Sequence, residues 1–117
     1  MSKTTSDQVI EILVEAGVTW ACGVPGDATD LMLASIHGSK DIDFYLTRHE
    51  ESAGFMASAH AKLTGELGVV LACQGPGSAH MLNSMYDAKM DKVPMLVITG
   101  QASQFKLLRS QILALNF

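Results

Sequence analysis

The stretch "LGVVLAC" (Leu67–Cys73) limits the fold more than any other part of the chain. A strand with one wet face alternates apolar and polar residues. An unbroken apolar run of strand length needs cover on both faces, which is the signature of a parallel sheet between two helical layers. The surrounding pattern agrees. "TSDQVIEILVEAG" reads as a first helix, with Thr5 as N-cap, Gln8 three residues on, and Val9, Ile10, Leu13 and Ala16 as its apolar stripe. Gly17 suits its C-terminal turn. "VTWACGV" reads as a strand, "PGDATDLMLASIHG" as a helix, "IDFYL" as a strand and "HEESAGFMASAHAKLTG" as a helix closed by Gly65. After the central run come a helix, "GPGSAHMLNSMYDAKMDK", and a fourth strand, "PMLVITG". Strands alternating with helices at this spacing predict an α/β fold: three layers, α/β/α, around a parallel sheet.

The chain has 117 residues, a net charge of −4 and 48% hydrophobic residues, which suits one compact domain with a real core. With mild acidity and no lysine–arginine cluster, there is no electrostatic reason to expect nucleic acid or an anionic membrane. No apolar run approaches the roughly 20 residues of a membrane span. The polar opening "MSKTTSDQ" lacks the apolar core of a secretory signal. Cys22 and Cys73 both fall in strand-like stretches and read as buried free thiols, so the expected compartment is the cytoplasm.

Ligands of open α/β sheets gather beyond the carboxyl ends of the strands. Four motifs fall there: "GVPGD", "RHEE", "QGPGS" and "TGQ". Singly, each is weak. Gly23, Pro25, Gly26 and Asp27 form a tight turn with aspartate as a candidate N-cap. Gly75, Pro76 and Gly77 place a helix start, with its free N–H groups, after a strand. "QGPGS" is neither a dinucleotide fingerprint, because His80 takes the third glycine position, nor a P-loop. "HEESA" is no zinc-protease motif, because its fifth position is Ala53, and no metal site is expected. His60 and His80 sit among small and apolar residues, where packing or partial exposure is the simpler role. "RHEE" itself has two readings, a solvated helix start complementing the dipole or a working acid.

Taken together and in order, these motifs resemble the N-terminal pyrimidine-binding (PYR) domain of thiamine-diphosphate-dependent 2-oxo-acid enzymes of the pyruvate oxidase and acetolactate synthase kind. The resemblance covers about Thr4 to Gln101. It implies the thiamine-diphosphate-binding fold of PYR type. It also implies that Glu50 is catalytic: sharing a proton with a ring nitrogen of the cofactor's aminopyrimidine, it would favour the tautomer that activates the thiazolium carbon for attack on a 2-oxo acid. Such a glutamate must keep a proton near neutral pH, a demand that burial would meet. Glu51 should point elsewhere. Val24, Pro25 and Gly26 would approach the active centre, and Gly75, Pro76 and Gly77 would line the cavity. Ala53, Gly54, Ala57, Ser58 and Ala61 would permit close helix packing, either across a dimer interface or inside one domain.

The resemblance also marks what this sequence lacks. The family's diphosphate and magnesium are held by a separate PP domain with a Gly-Asp-Gly motif, which does not occur here. Some members bind FAD, which nothing in this chain supports. After "TGQ" the chain departs from the family pattern, so the domains read as a partial PYR domain at 1–101, truncated after about four strands, and a divergent apolar tail at 102–117. An incomplete sheet leaves an open edge. The expected partners are therefore a second copy of the chain or a separate PP-domain chain, with a 2-oxo acid as the small molecule. The alternative is a non-catalytic PYR-fold module that acts only in protein association.

Overall fold

A computed structural model of the chain describes residues 3–101. The predicted tail at 102–117 lies outside the described residues. Along the chain come α1 (Thr5–Glu15), β1 (Trp20–Gly23), α2 (Asp30–Gly38), β2 (Asp43–Leu46), α3 (Glu50–Thr64), β3 (Gly68–Ala72), α4 (Pro76–His80), α5 (Leu82–Met90) and β4 (Met95–Thr99). The four strands form one sheet in the order β2-β1-β3-β4, and every pairing is parallel. This is the α/β fold, helices flanking a parallel sheet, that the alternation predicts.

The central run behaves as its composition requires: all five residues of β3 are buried. Because side chains alternate along a strand, β3 feeds two cores. Val69 and Leu71 join Ile10, Leu13, Val18, Ala21, Ile36 and Ile42 beneath α1 and α2. Val70 and Ala72 join Cys22, Ala53, Ala57 and Met81 beneath α3 and the segment that follows α4. The two faces make the three layers. Burial pushes the Cys22 thiol up to about 11. Its Sγ donates to the Ala53 carbonyl oxygen at 3.3 Å, the small core group that the sequence suggests.

Local boundaries differ from the sequence reading in four places. The cap of α1 is Thr4, one residue earlier than Thr5. Its hydroxyl accepts from the Asp7 amide at 3.1 Å, while the Asp7 carboxylate accepts from the Thr4 amide at 2.8 Å. Asp27 is exposed and does not cap α2, which starts three residues later behind Thr29. There the Thr29 hydroxyl donates to the Gly26 carbonyl at 2.9 Å and closes the turn. The single helix expected from Gly75 to Lys92 is two helices, because the turn at Met81 separates α4 from α5. Cys73 lies just past the end of β3 and is half-buried, not a buried strand residue. Its thiol donates to Gln74 Oε1 at 2.8 Å.

The small residues of α3 serve packing inside the chain. Ala53, Gly54, Ala57, Ser58 and Ala61 are all buried, and a Cβ on Gly54 would collide with the Ser84 side chain of α5. Among the described residues no helix is long and apolar enough to cross a membrane.

Candidate active site

The connections leave β1 and β3 in opposite directions, β1 running through α2 to β2 on one side and β3 running on to β4 on the other. In open α/β sheets the place for a ligand is where the order diverges, here outside the carboxyl ends of β1 and β3. The parallel pairing carries all four motif loops to that one edge. Thr47, after β2, donates its amide to the Gly23 carbonyl at 2.9 Å, and Gly100, after β4, donates to the Ala72 carbonyl at 3.1 Å. Gly26 lies so close to the end of β3 that a Cβ there would fall 2.5 Å from Cys73 Sγ.

Glu50 is the first residue of α3. His49 caps that helix, its Nδ1 accepting from the Glu51 amide at 3.2 Å, and so fixes the first turn. The Glu50 side chain is 15% exposed. Oε1 faces Gly77, where a Cβ would stand 3.0 Å away, so the buried glycine leaves room that any side chain would fill. Oε2 lies 2.9 Å from His80 Nδ1. Gly75, with φ of 66°, takes a positive-φ conformation open to glycine and puts Pro76 and Gly77 at the start of α4. Glu51 turns away and accepts from Asn83 Nδ2 of α5, as a second carboxylate with no part in this cluster should.

The electrostatics differ from the sequence expectation. Burial pushes Glu50 upward, but the hydrogen bond from His80 is the larger influence and holds its carboxyl below the ordinary value. Of the packing or partial exposure expected for His80 the structure shows partial exposure, and what reading the sequence missed is the contact between Glu50 and His80. The His80 side chain is 43% exposed, and its ring stacks on His49 at 4.4 Å with 29° between planes. The available signal was its position: one short helix after "QGPG" returns His80 to the same edge as "RHEE". His60, by contrast, does pack, edge-on to Trp20 at 4.9 Å.

His49, Glu50 and His80 each bring a possible ligand atom to within 4.8 Å of the others. Both Nδ1 atoms are already engaged, with the Glu51 amide and with Glu50, and this favours a hydrogen-bonded cluster over a metal centre. The predicted residues do not converge equally. Gly26 and Gly77 both stand against Cys73, and Gly77 also faces Glu50. Val24 is half-buried in the turn before Gly26, and Pro25 is exposed and lines a separate groove of about 540 Å³ with Leu33, Phe44 and Leu46. A concavity of about 620 Å³ lies between α1 and α2 and contains none of the motif residues. The motif loops themselves make one wall at the carboxyl edge of the sheet.

Residues 3–112 match the family model described as thiamine pyrophosphate enzyme, N-terminal TPP binding domain, a span that takes in the first part of the 102–117 segment. The chain is 44% identical to YdaP of Bacillus subtilis over 86% of its length. It is 40% identical to the acetolactate synthase of Mycobacterium leprae over 86% and 39% identical to the pyruvate oxidase of Lactiplantibacillus plantarum over 80%. It spans 18%, 16% and 16% of the length of these three relatives.

Proposed function

The chain belongs to the family of thiamine pyrophosphate enzyme N-terminal domains, and from that membership we propose that it is the pyrimidine-binding part of a pyruvate oxidase-like enzyme that decarboxylates 2-oxo acids, with Glu50 as the residue that activates the cofactor. One observation carries the reading above the rest: a single, mostly buried carboxylate at the sheet's carboxyl edge aims one oxygen at the space left by Gly77. In this reading that oxygen is the atom that the aminopyrimidine nitrogen would meet. Among the described residues no comparable cradle for a diphosphate and magnesium accompanies it, and these are assigned to a PP domain, whether on another chain or elsewhere in the same polypeptide.

When bound, thiamine diphosphate supplies the carbon nucleophile and holds the electrons released on decarboxylation. The chain's own residues supply position and one proton. Glu50 would hold that proton at Oε1 and exchange it with the ring nitrogen. Gly75, Pro76 and Gly77 keep the approach open, and the Val24-Pro25-Gly26 turn bounds it on the β1 side. In the free chain His80 holds the carboxyl low, whereas proton exchange near neutral pH needs it higher. A partner that covers this edge strips water from Glu50 and raises its pKa in the required direction.

Partners enter the reading for the same reason. Leu82, Met85, Tyr86 and Met90 run along α5 at helical spacing and are exposed, beside exposed Phe55 and Met56 of α3. A second copy or a PP domain covering this stripe would complete the site. The compartment in this reading is the cytoplasm.

The test is exchange of the thiazolium proton, followed by NMR in the complex with a PP-domain chain. Glu50→Gln keeps the shape but cannot trade a proton, so exchange should fall at least about 100-fold, the scale of a lost acid–base group. Glu51→Gln should change it little. Equal effects of the two would return "RHEE" to an ordinary helix start. The 117-residue chain alone should not turn over pyruvate, and turnover by it would overturn the assignment of the diphosphate.

A further inference from the structure

His80 ends a helix of only five residues and its side chain is partly exposed, so neither helix geometry nor core packing explains where its ring sits. Two contacts pin it. A carboxylate only accepts, so the 2.9 Å contact with Glu50 Oε2 means that His80 Nδ1 carries the hydrogen and donates it. The ring face lies on His49 at 4.4 Å, and His49 is itself fixed because its Nδ1 caps α3. The two oxygens of Glu50 therefore have different surroundings. Oε2 is tied to α4, and Oε1 faces Gly77. A carboxylate free to spin would present either oxygen, or neither, to a ring arriving at this edge.

We propose that His80 is a positioning residue for Glu50: its ring ties Oε2 and thereby holds Oε1 toward the Gly77 turn, where the cofactor's aminopyrimidine is met. The inference rests on the role given to Glu50 above and adds the residue that acts through it. The other titratable groups around the pair are His49, stacked on His80, Glu51, held by Asn83 of α5, and Cys73, held by Gln74 at the end of β3. His49 adds a smaller pull on Glu50 in the same direction as His80. The geometry makes a second, measurable demand. Without the donor on Oε2, the Glu50 carboxyl must bind its proton at higher pH than in the native chain.

Two variants separate the donor from the titrating ring. His80→Ala removes both. His80→Asn keeps an N–H donor at the same branch from Cγ but cannot titrate. In the free 117-residue chain, the carboxyl carbon of Glu50 followed by NMR should titrate at higher pH in His80→Ala and at nearly the native pH in His80→Asn. In the complex with a PP-domain chain, thiazolium proton exchange should slow about 10- to 100-fold in His80→Ala, the scale of a misplaced group, and recover most of that loss in His80→Asn. Backbone amide spectra serve as the check on folding, and the exposed site makes both variants mild. An unmoved Glu50 titration in His80→Ala overturns the proposal, and so does an unchanged exchange rate. If Glu50→Gln still abolishes exchange in that case, the role of Glu50 stands and only His80 falls. If Glu50→Gln has no effect, both fall together.

Discussion

The two faces of the sheet are built from different materials. Beneath α1 and α2 the core is large and aliphatic, with Ile10, Leu13, Ile36, Ile42, Val69 and Leu71 filling the space between layers. Beneath α3 it is made mostly of alanines with Cys22, Val70 and Met81, and Gly54, Ser58 and Ser84 let α3 and α5 come close. Large side chains hold elements together by area, at about 25 cal/mol per Å² of apolar surface removed from water. Small ones bury less but set position closely, because backbone stands near backbone. The site lies at the end of the second face. Glu50 opens α3 and His80 closes α4, and their 2.9 Å contact needs these helices to be placed to within a few tenths of an ångström. Stability and precision are thus divided between the faces.

That division is open to attack from either side. Leu71→Ala, in the aliphatic core, should have the largest effect on stability, about 2–5 kcal/mol in chemical denaturation, because it removes transfer energy and leaves a cavity. The geometry of Glu50 and His80 should survive in whatever fraction remains folded. Gly54→Val should cost less, about 1–3 kcal/mol, since the added groups push Ser84 and α5 away from α3. Its amide shifts should spread to residues around Glu50 and Asn83, which those of Leu71→Ala should not. If Gly54→Val costs more than Leu71→Ala, or leaves the spectra near Glu50 unmoved, the division fails. Thr4→Ala should cost about 1 kcal/mol, the usual value of an N-cap, and leave the site untouched.

The smallest effect expected is electrostatic. Asp87 of α5 is held below its ordinary value of 3.8, first by the hydrogen bond from Lys62 of α3 and then by that from Ser58. A carboxylate lowered in the folded state contributes stability that is present above 3.8 and is lost as pH falls through the lowered value. The urea midpoint of Asp87→Asn should therefore lie slightly below that of the native chain near neutral pH, and the gap should close on acidification. Lys62 also pairs with Asp91 at 2.6 Å, so the clamp between α3 and α5 would persist in weakened form.

What the sequence disclosed and what it withheld follow the same line. Strand–helix alternation and the apolar run at Leu67–Cys73 were enough for the layers, the parallel pairing and the edge where the motif loops meet, because these depend on periodicity and on which faces are covered. Boundaries were less legible. Thr4 and Thr5 are equally good caps on paper, and only the reach of Asp7 back to the Thr4 amide decides between them. The break at Met81 leaves no mark of its own, since nothing in "AHMLNS" opposes helix. The contact between Glu50 and His80 was the substantive miss. Thirty residues separate the two, and no local pattern links two side chains that meet only when β3 is laid beside β1. The downward pull on Glu50 is a consequence of that meeting, so burial alone pointed in the wrong direction.

Cofactor binding measured by calorimetry tests the account most directly. Thiamine diphosphate with magnesium is titrated into the native chain and into Glu50→Gln, each alone and each mixed with a PP-domain chain. Saturable heat is expected only in the mixtures, with Glu50→Gln binding at least about tenfold more weakly than the native chain, the equivalent of one lost charge-assisted hydrogen bond. Saturable binding to the 117-residue chain alone, or equal affinity for the native and Glu50→Gln mixtures, would contradict the placement of the pyrimidine against Glu50.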